Sequence, residues 1–346
     1  MKKLVCKIKE SRMKKENSLQ KINELYRTGL GYYRSHEYQN AYMFFNLAAE
    51  HNHKDAQYVL GIMYGRGRGV DQDIQQAVHW YKKSAVNGNL KSHHNLGVCY
   101  RDGIGVEKDE VKALYWFTLA AENGDVDSQY STAIIYYKGS QQDHKMAYLW
   151  FKIAAENDHV MAQYALGLLH YYGHGVPQDL KKAFVWFERV SDKEASGDAY
   201  VYLGQIYLDQ KDTEAAKQAY LKAALRGNSQ AQYKLGQLYE SIHSNQSEAI
   251  AWYKASASQG HCGAHVCLAQ IYIRQGALDL AIQWFQKSHH AGNANEGTLL
   301  LEAQQLEEKL KTDNPCEKEG HIWSCKNTQL TSDHHSTLSD VTLSDE

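Results

Sequence analysis

Residues Ala56–Gly88 read A-Q-Y-V-L-G-I-M-Y-G-R-G-R-G-V-D-Q-D-I-Q-Q-A-V-H-W-Y-K-K-S-A-V-N-G. Ala56, Leu60, Gly61 and Tyr64 are spaced as one face of a helix. Ala77, Trp80, Tyr81, Ser84 and Ala85 mark a second, with Gly67, Gly69 and Val70 as a turn between them. One such pair cannot bury its apolar face alone. Self-similarity at a period of roughly 34 residues lets neighbours bury it together and specifies a solenoid.

The pattern returns along the chain. Leu96, Gly97, Tyr100, Gly103, Gly105, Val106, Ala113, Trp116, Phe117, Ala121 and Gly124 each fall 36 residues after a counterpart in the first stretch. A fourth pair keeps Ala133, Tyr136, Gly139, Ala147, Trp150 and Phe151, with a connection two residues shorter that lacks Gly-Val. The fifth restores it as Gly173, Gly175 and Val176. Three further pairs with shorter links carry Leu203-Gly204 and Tyr220, Leu235-Gly236 and Tyr253, and Leu268-Ala269 and Phe285. Leu19, Ile22, Leu25 and Tyr26 open a first pair that continues to Ala48-Ala49.

The expectation is therefore an all-α chain: a right-handed α-solenoid of about eight helix-turn-helix repeats spanning 18–310. Within that span a C-terminal capping helix is expected over Asn293 to Leu310. Residues 1–17 are basic, lack an apolar face and are expected to form a flexible arm. Residues 311–346 change to Ser, Thr, Asp and His and are expected to be a disordered acidic tail.

Composition excludes several classes. Formal charge is −2, which gives no global drive toward nucleic acid or acidic lipid. Two prolines beside 25 tyrosines and 7 tryptophans favour uninterrupted helices with aromatic packing. The six cysteines fall irregularly and do not form a disulfide framework, so a reducing compartment fits best. No segment approaches the ~20 apolar residues of a membrane span, and Lys7 interrupts the only apolar start a signal peptide could use. A cytoplasmic, soluble protein made without Sec export is expected.

The shared residues resemble the Sel1-like repeat family, relatives of the tetratricopeptide repeats, over roughly Leu19 to Gly292. The pattern is A-x-x-x-L-G-x-x-Y-x-x-G-x-G-V-x-x-D-x-x-K-A-x-x-W-Y-x-x-A-A-x-x-G, sharpest in the second, third and fifth pairs. The resemblance implies a non-enzymatic scaffold or adaptor for other proteins, in bacteria often in signalling, envelope processes or host interaction. Relatives with a cysteine pair in every repeat are linked to β-lactam binding, and this chain lacks those cysteines.

Chemistry-bearing motifs reduce to structural readings. Arg66-Gly67-Arg68-Gly69 lacks the Gly-Lys-Ser/Thr ending and preceding strand of a phosphate loop, and reads as a turn. Cys316, His321 and Cys325 supply three ligands in no common zinc spacing. His93-His94 and His289-His290 point about 100° apart on a helix. Asp73, Asp109 and Asp179 recur at one turn position, which argues for capping over catalysis. No catalytic residue, cofactor or metal site is assigned.

Comparing the repeats with each other separates shared from variable positions. Counting from the first Ala, offsets 0, 4, 7 and 8 share one helix face, and offsets 3, 6 and 10 lie opposite and vary. The candidate groove is built from the variable positions. Its N-terminal half holds Val59, Ile62, Arg66, Asn95, Asp102 and Lys138. Tyr172, Tyr202, Gln205, Lys234, Gln237, Gln270 and Arg274 continue it.

If first helices line the concave side, the groove changes from apolar to polar along the chain and would take a protein or peptide segment. Variable positions that are merely tolerant and wet would look the same in sequence. One version of this reading is a secreted bacterial effector that reaches a host cell, after the small hydroxyl and acidic residues from Ser336 to Glu346. Alternatives are an intracellular signalling adaptor and a hydrolase of cell-wall or β-lactam type.

Overall fold

The computed structural model describes residues 2–140, 142–193, 197–241 and 245–290, together with Leu301, Gln305 and Glu308; side chains are described from Ser18 to Ser288 and at those last three. Among the described residues sixteen helices occur in eight consecutive pairs. These are α1 (Lys2–Arg34) with α2 (Tyr38–Glu50), α3 (Lys54–Arg66) with α4 (Ile74–Val86), α5 (Leu90–Asp102) with α6 (Glu110–Glu122), and α7 (Val126–Lys138) with α8 (His144–Glu156). They continue as α9 (Val160–Tyr172) with α10 (Leu180–Ser191), α11 (Asp198–Asp209) with α12 (Thr213–Leu225), α13 (Ser229–Ser241) with α14 (Gln246–Ser258), and α15 (Cys262–Arg274) with α16 (Leu278–His290). Helix α1 runs unbroken from Lys2, so no break in secondary structure marks a boundary at 17/18. Of the expected capping helix only Leu301, Gln305 and Glu308 are described, helical and exposed, and the 311–346 tail lies outside the described residues.

Contacts divide the chain into two units, Met1–Ala264 and His265–Glu346. In the first, each helix from α1 to α14 packs on the next, which is the α-solenoid arrangement that repeated helical pairs require. In the second, Ala269, Ala281 and Phe285 are fully buried together and His265 lies over Trp284.

Helix starts follow from side chains that can accept a hydrogen bond from the free N–H groups of a first turn. Asp73, Asp109 and Asp179 accept from the backbone N–H of Gln76, Lys112 and Lys182 at 2.9 to 3.0 Å, so the recurrent carboxylates are caps. The link between α3 and α4 depends on Gly69. Its φ is +74°, and a Cβ there would run into the Tyr38 carbonyl of the preceding pair. The Arg66–Gly69 segment is a turn seated on that pair, and Arg68 donates to the Tyr33 hydroxyl at 2.8 Å. In the fourth pair, which lacks Gly-Val, Glu110 accepts from both the N–H and the hydroxyl of Ser140 at 2.7 Å instead.

The core is built from small residues facing large ones. Gly97 and Gly167 each lie so close to the ring of Phe117 or Phe187 that an added Cβ would sit 2.6 Å from it. Phe45, Phe117, Phe151, Phe187, Tyr220 and Tyr253 occupy the same second-helix position and are at most 2% exposed. Stacking therefore consumes the shared residues almost completely.

Candidate partner-binding face

The variable positions remain accessible. Val59, Ile62, Asn95, Tyr202, Gln205, Lys234 and Gln237 are half-buried, and Arg66, Asp102, Lys138 and Tyr172 are exposed. Gln270 and Arg274, on α15, are also exposed. None of the thirteen candidates is buried, whereas the shared Ala56, Leu60, Met63, Leu96, Ala162 and Leu166 are at most 1% exposed.

Three of the candidates meet at one cavity. Ile62 and Arg66 from α3 and Asn95 from α5 line a space of about 350 Å³, whose walls also include Tyr58, Val78 and Tyr81. Tyr58 and Tyr81 lie 6.1 Å apart by ring centroid and share the cavity wall with Asn95. Burial pushes the Tyr81 hydroxyl up to about 12, so it stays a neutral donor at any physiological pH. Cys99 is 6% exposed and its thiol is raised by burial to about 11, which makes it an unreactive wall rather than a nucleophile. Asp102 is engaged by its neighbour Arg101 through two bonds of 2.8 and 2.7 Å, which holds its carboxyl below the usual range.

Tyr172 and Tyr202 also come together, their hydroxyls 3.2 Å apart. They belong to a run of rings drawn from α7 to α11. His174 stacks on Tyr172 at 5.6 Å and on His144 at 5.8 Å, and its Nδ1 bonds to the Tyr137 hydroxyl at 2.9 Å. Tyr202 stacks on Phe187 at 4.9 Å with an interplanar angle of 11°. Burial first, and then the bond with Tyr172, raise the Tyr202 hydroxyl.

Sequence reading missed two structural devices and one cavity. At offset 1 the glutamines Gln57, Gln129, Gln163 and Gln232 are buried, and each donates to the carbonyl eight residues before it. Asn87, Asn157 and Gln259 donate back to Gln57, Gln129 and Gln232, clamping second helices to first. The recurrence of glutamine at a fixed offset is a signal available in sequence.

The second device is histidine capping. His53, His159 and His261 accept through Nδ1 from the N–H of Ala56, Ala162 and Ala264, and their rings stack on Tyr26, Tyr130 and Tyr233 at 4.5 to 4.6 Å. The missed cavity, of about 300 Å³, lies between α10, α11 and α12 and is edged by Glu188, Asp192, Tyr200, Gln218 and Lys222. There Tyr200 stands where other pairs have the clamping glutamine, and its hydroxyl donates to Asp192 at 2.6 Å.

Of the candidate metal pairs, His93-His94 is held in packing and hydrogen bonds. His93 stacks on Trp116, and His94 bonds to Ser128 at 2.8 Å beside Asp125 at 3.2 Å, whose carboxyl is thereby held at about 2. Among the described residues no group of three or more His, Cys, Asp or Glu is placed to hold a metal ion. Cys99 and Cys262 are free thiols. Cys316, His321, Cys325 and the side chains of His289-His290 lie outside the described residues. No described helix is long and apolar enough to cross a membrane.

Comparison with known proteins bears on this arrangement at three levels. The Sel1 repeat family model matches residues 24–53, 54–89, 90–125, 126–159, 160–193, 229–261 and 274–293. A tetratricopeptide repeat model matches 197–225, the sixth pair, where the Gly-rich link is absent. None of the curated proteins matches the chain.

Among solved structures, the chain is similar to c5321, a protective antigen of uropathogenic Escherichia coli strains with an SLR fold. The TM-score is 0.75 at 29% identity, over 84% of this chain and 66% of that one, so the chain spans just under two thirds of that protein's length. It is also similar to a Sel1 repeat protein from Oxalobacter formigenes, with a TM-score of 0.65 at 25% identity over 83% of this chain and 90% of that one. With repeat after repeat matched across well over half of its length, and with the packing residues of those repeats buried as the pattern requires, the chain belongs to the Sel1 repeat family.

Proposed function

We propose that this protein is a non-enzymatic adaptor that binds a segment of another protein along the variable face of its first helices. The observation that carries this reading is the division of labour within each repeat. Residues common to the pairs are spent on packing, and the residues that differ stay accessible, where a partner can read them. Members of this family commonly serve as protein–protein interaction scaffolds, which supports the same reading. Lys138 and Lys234 give the face two cations among aromatic and amide groups, a mixture suited to an acidic, partly apolar segment.

Peptides selected from a displayed library on the purified full chain provide the test. Lys138→Glu with Lys234→Glu is expected to weaken selected peptides by about tenfold while the helical circular dichroism is unchanged. Undiminished binding would overturn the assignment of this face. The bacterial-effector form of the reading rests on the Ser-, Thr- and Asp-rich composition of 327–346. Deleting that stretch is expected to abolish transfer of a reporter fusion into a host cell, and unaltered transfer would reject it.

A further inference from the structure

The cavity between α3, α4 and α5 has an internal counterpart that is filled. Matching repeats by offset, Tyr81 of the second pair corresponds to Phe187 of the fifth, and Asn95 of the third pair corresponds to Tyr202 of the sixth. In the fifth and sixth pairs Tyr202 lies flat on Phe187, its edge meets Tyr171 at 5.2 Å, and its hydroxyl meets that of Tyr172. Phe187 itself is fully buried.

At the second and third pairs the same positions hold smaller groups. Asn95 replaces Tyr202, Gly65 replaces Tyr171 and Val78 replaces Phe184, while Arg66 stands in the place of Tyr172. Four rings are gone, about 350 Å³ is left open, and Tyr81 is half-buried although its counterparts are fully covered. That volume is at the lower end of ligand sites, which run from about 300 to 1,000 Å³, and suits one bulky side chain. Arg66 is exposed at the rim and makes no ion pair among the described residues.

We infer that this cavity anchors a partner protein through one aromatic side chain, which stacks on Tyr81 as Tyr202 stacks on Phe187, with a carboxylate beside it in the partner's chain meeting Arg66. The inference rests on the adaptor reading and names the class of residue that the face selects. Tyr202 shows that the repeat geometry accepts a ring in this place, stacked and with a polar end toward offset 10. Replacing the tyrosine at offset 10 by arginine changes the preferred polar end from a hydroxyl to an anion.

The test is a ¹⁹F NMR titration of the full chain with acetyl-Ala-(4-fluoro-Phe)-Glu-Ala-amide, its Gln analogue and a version lacking the ring. Saturable binding that requires the ring is expected for the native chain. Asn95→Tyr, which supplies from within the ring found at the sixth pair, should lower affinity by about tenfold without lowering Tm. Arg66→Gln should weaken the Glu peptide roughly two- to fivefold and leave the Gln peptide unchanged. Should Asn95→Tyr fail to fold, Val78→Phe, which restores the residue of the fifth pair, fills the same space and should give the same loss.

No saturable binding to the native chain, or binding unaffected by the filling variants, overturns the anchor. If library peptides still depend on Lys138 and Lys234 in that case, the adaptor reading stands without this anchor. If they depend on neither, both fall.

Discussion

At the residue scale, the glycines at offset 5 show how one missing Cβ decides packing. Gly97 sits inside α5, where alanine is intrinsically favoured by about 0.5–1 kcal/mol. Its added Cβ would stand 2.6 Å from the ring of fully buried Phe117, and overpacking of that kind costs about 1–3 kcal/mol. The second effect is larger, so Gly97→Ala should lower stability in denaturant titration. Gly31, exposed in α1 with nothing within 4 Å of a Cβ, isolates the first effect, and Gly31→Ala should raise stability by a few tenths to about 1 kcal/mol. The contrast was half legible in sequence: the period shows that Gly97 recurs opposite an aromatic, but only the structure separates it from Gly31.

At the element scale, the histidine caps tie the start of α3 and α9 to pH. His53 and His159 use a neutral ring nitrogen to accept the N–H of the third residue on, and burial lowers both their affinities for protons. Asp55 beside His53 and Asp127 beside His159 act in the opposite, raising direction, but burial is the larger effect for each. A histidine with a depressed folded value contributes stability that is fully present above its unfolded value, about 6.5. That contribution is lost as pH falls through the folded value. Amide exchange at the first turns of α3 and α9 should therefore accelerate as pH falls below about 6.5. His159→Asn, which retains a capping oxygen without a titrating ring, should remove the acceleration at α9 and leave it at α3. An exchange rate at α9 with the same pH profile in the variant would reject this account. Sequence reading assigned capping to the recurrent Asp residues and overlooked these, because histidine is an uncommon cap and its role depends on the tyrosine ring stacked on it from the preceding pair.

At the scale of the whole molecule, neighbour-only packing predicts how damage combines. Within α1 to α14 each pair packs on the next pair in the chain, so lesions separated by an intact pair share no side-chain partners. Gly97→Ala and Gly167→Ala, separated by the pair α7 and α8, should add to within about 0.5 kcal/mol. Gln57→Ala and Asn87→Ala, which remove the two ends of one 2.8 Å bond, should fall short of additivity, measured by a double-mutant cycle. Additive loss in the second case would show that the glutamine clamp carries no coupling between helices.

What the sequence determined by itself was the period, the pairing of helices, the small-against-large core and the identity of the variable face. All of these are one-dimensional: in a solenoid each contact is made with a neighbour at a fixed offset, so sequence spacing is also spatial spacing. What only tertiary structure decided was which variable positions meet. Asn95 is an unremarkable polar residue until it is seen to stand over Tyr81, where another pair places Tyr202, and Arg66 gains meaning only at the edge of the space that Gly65 and Val78 leave open. Volume is the reason. A period records where side chains point, whereas a cavity is the difference between several side chains drawn from two repeats at once, and that difference exists only when they are packed together.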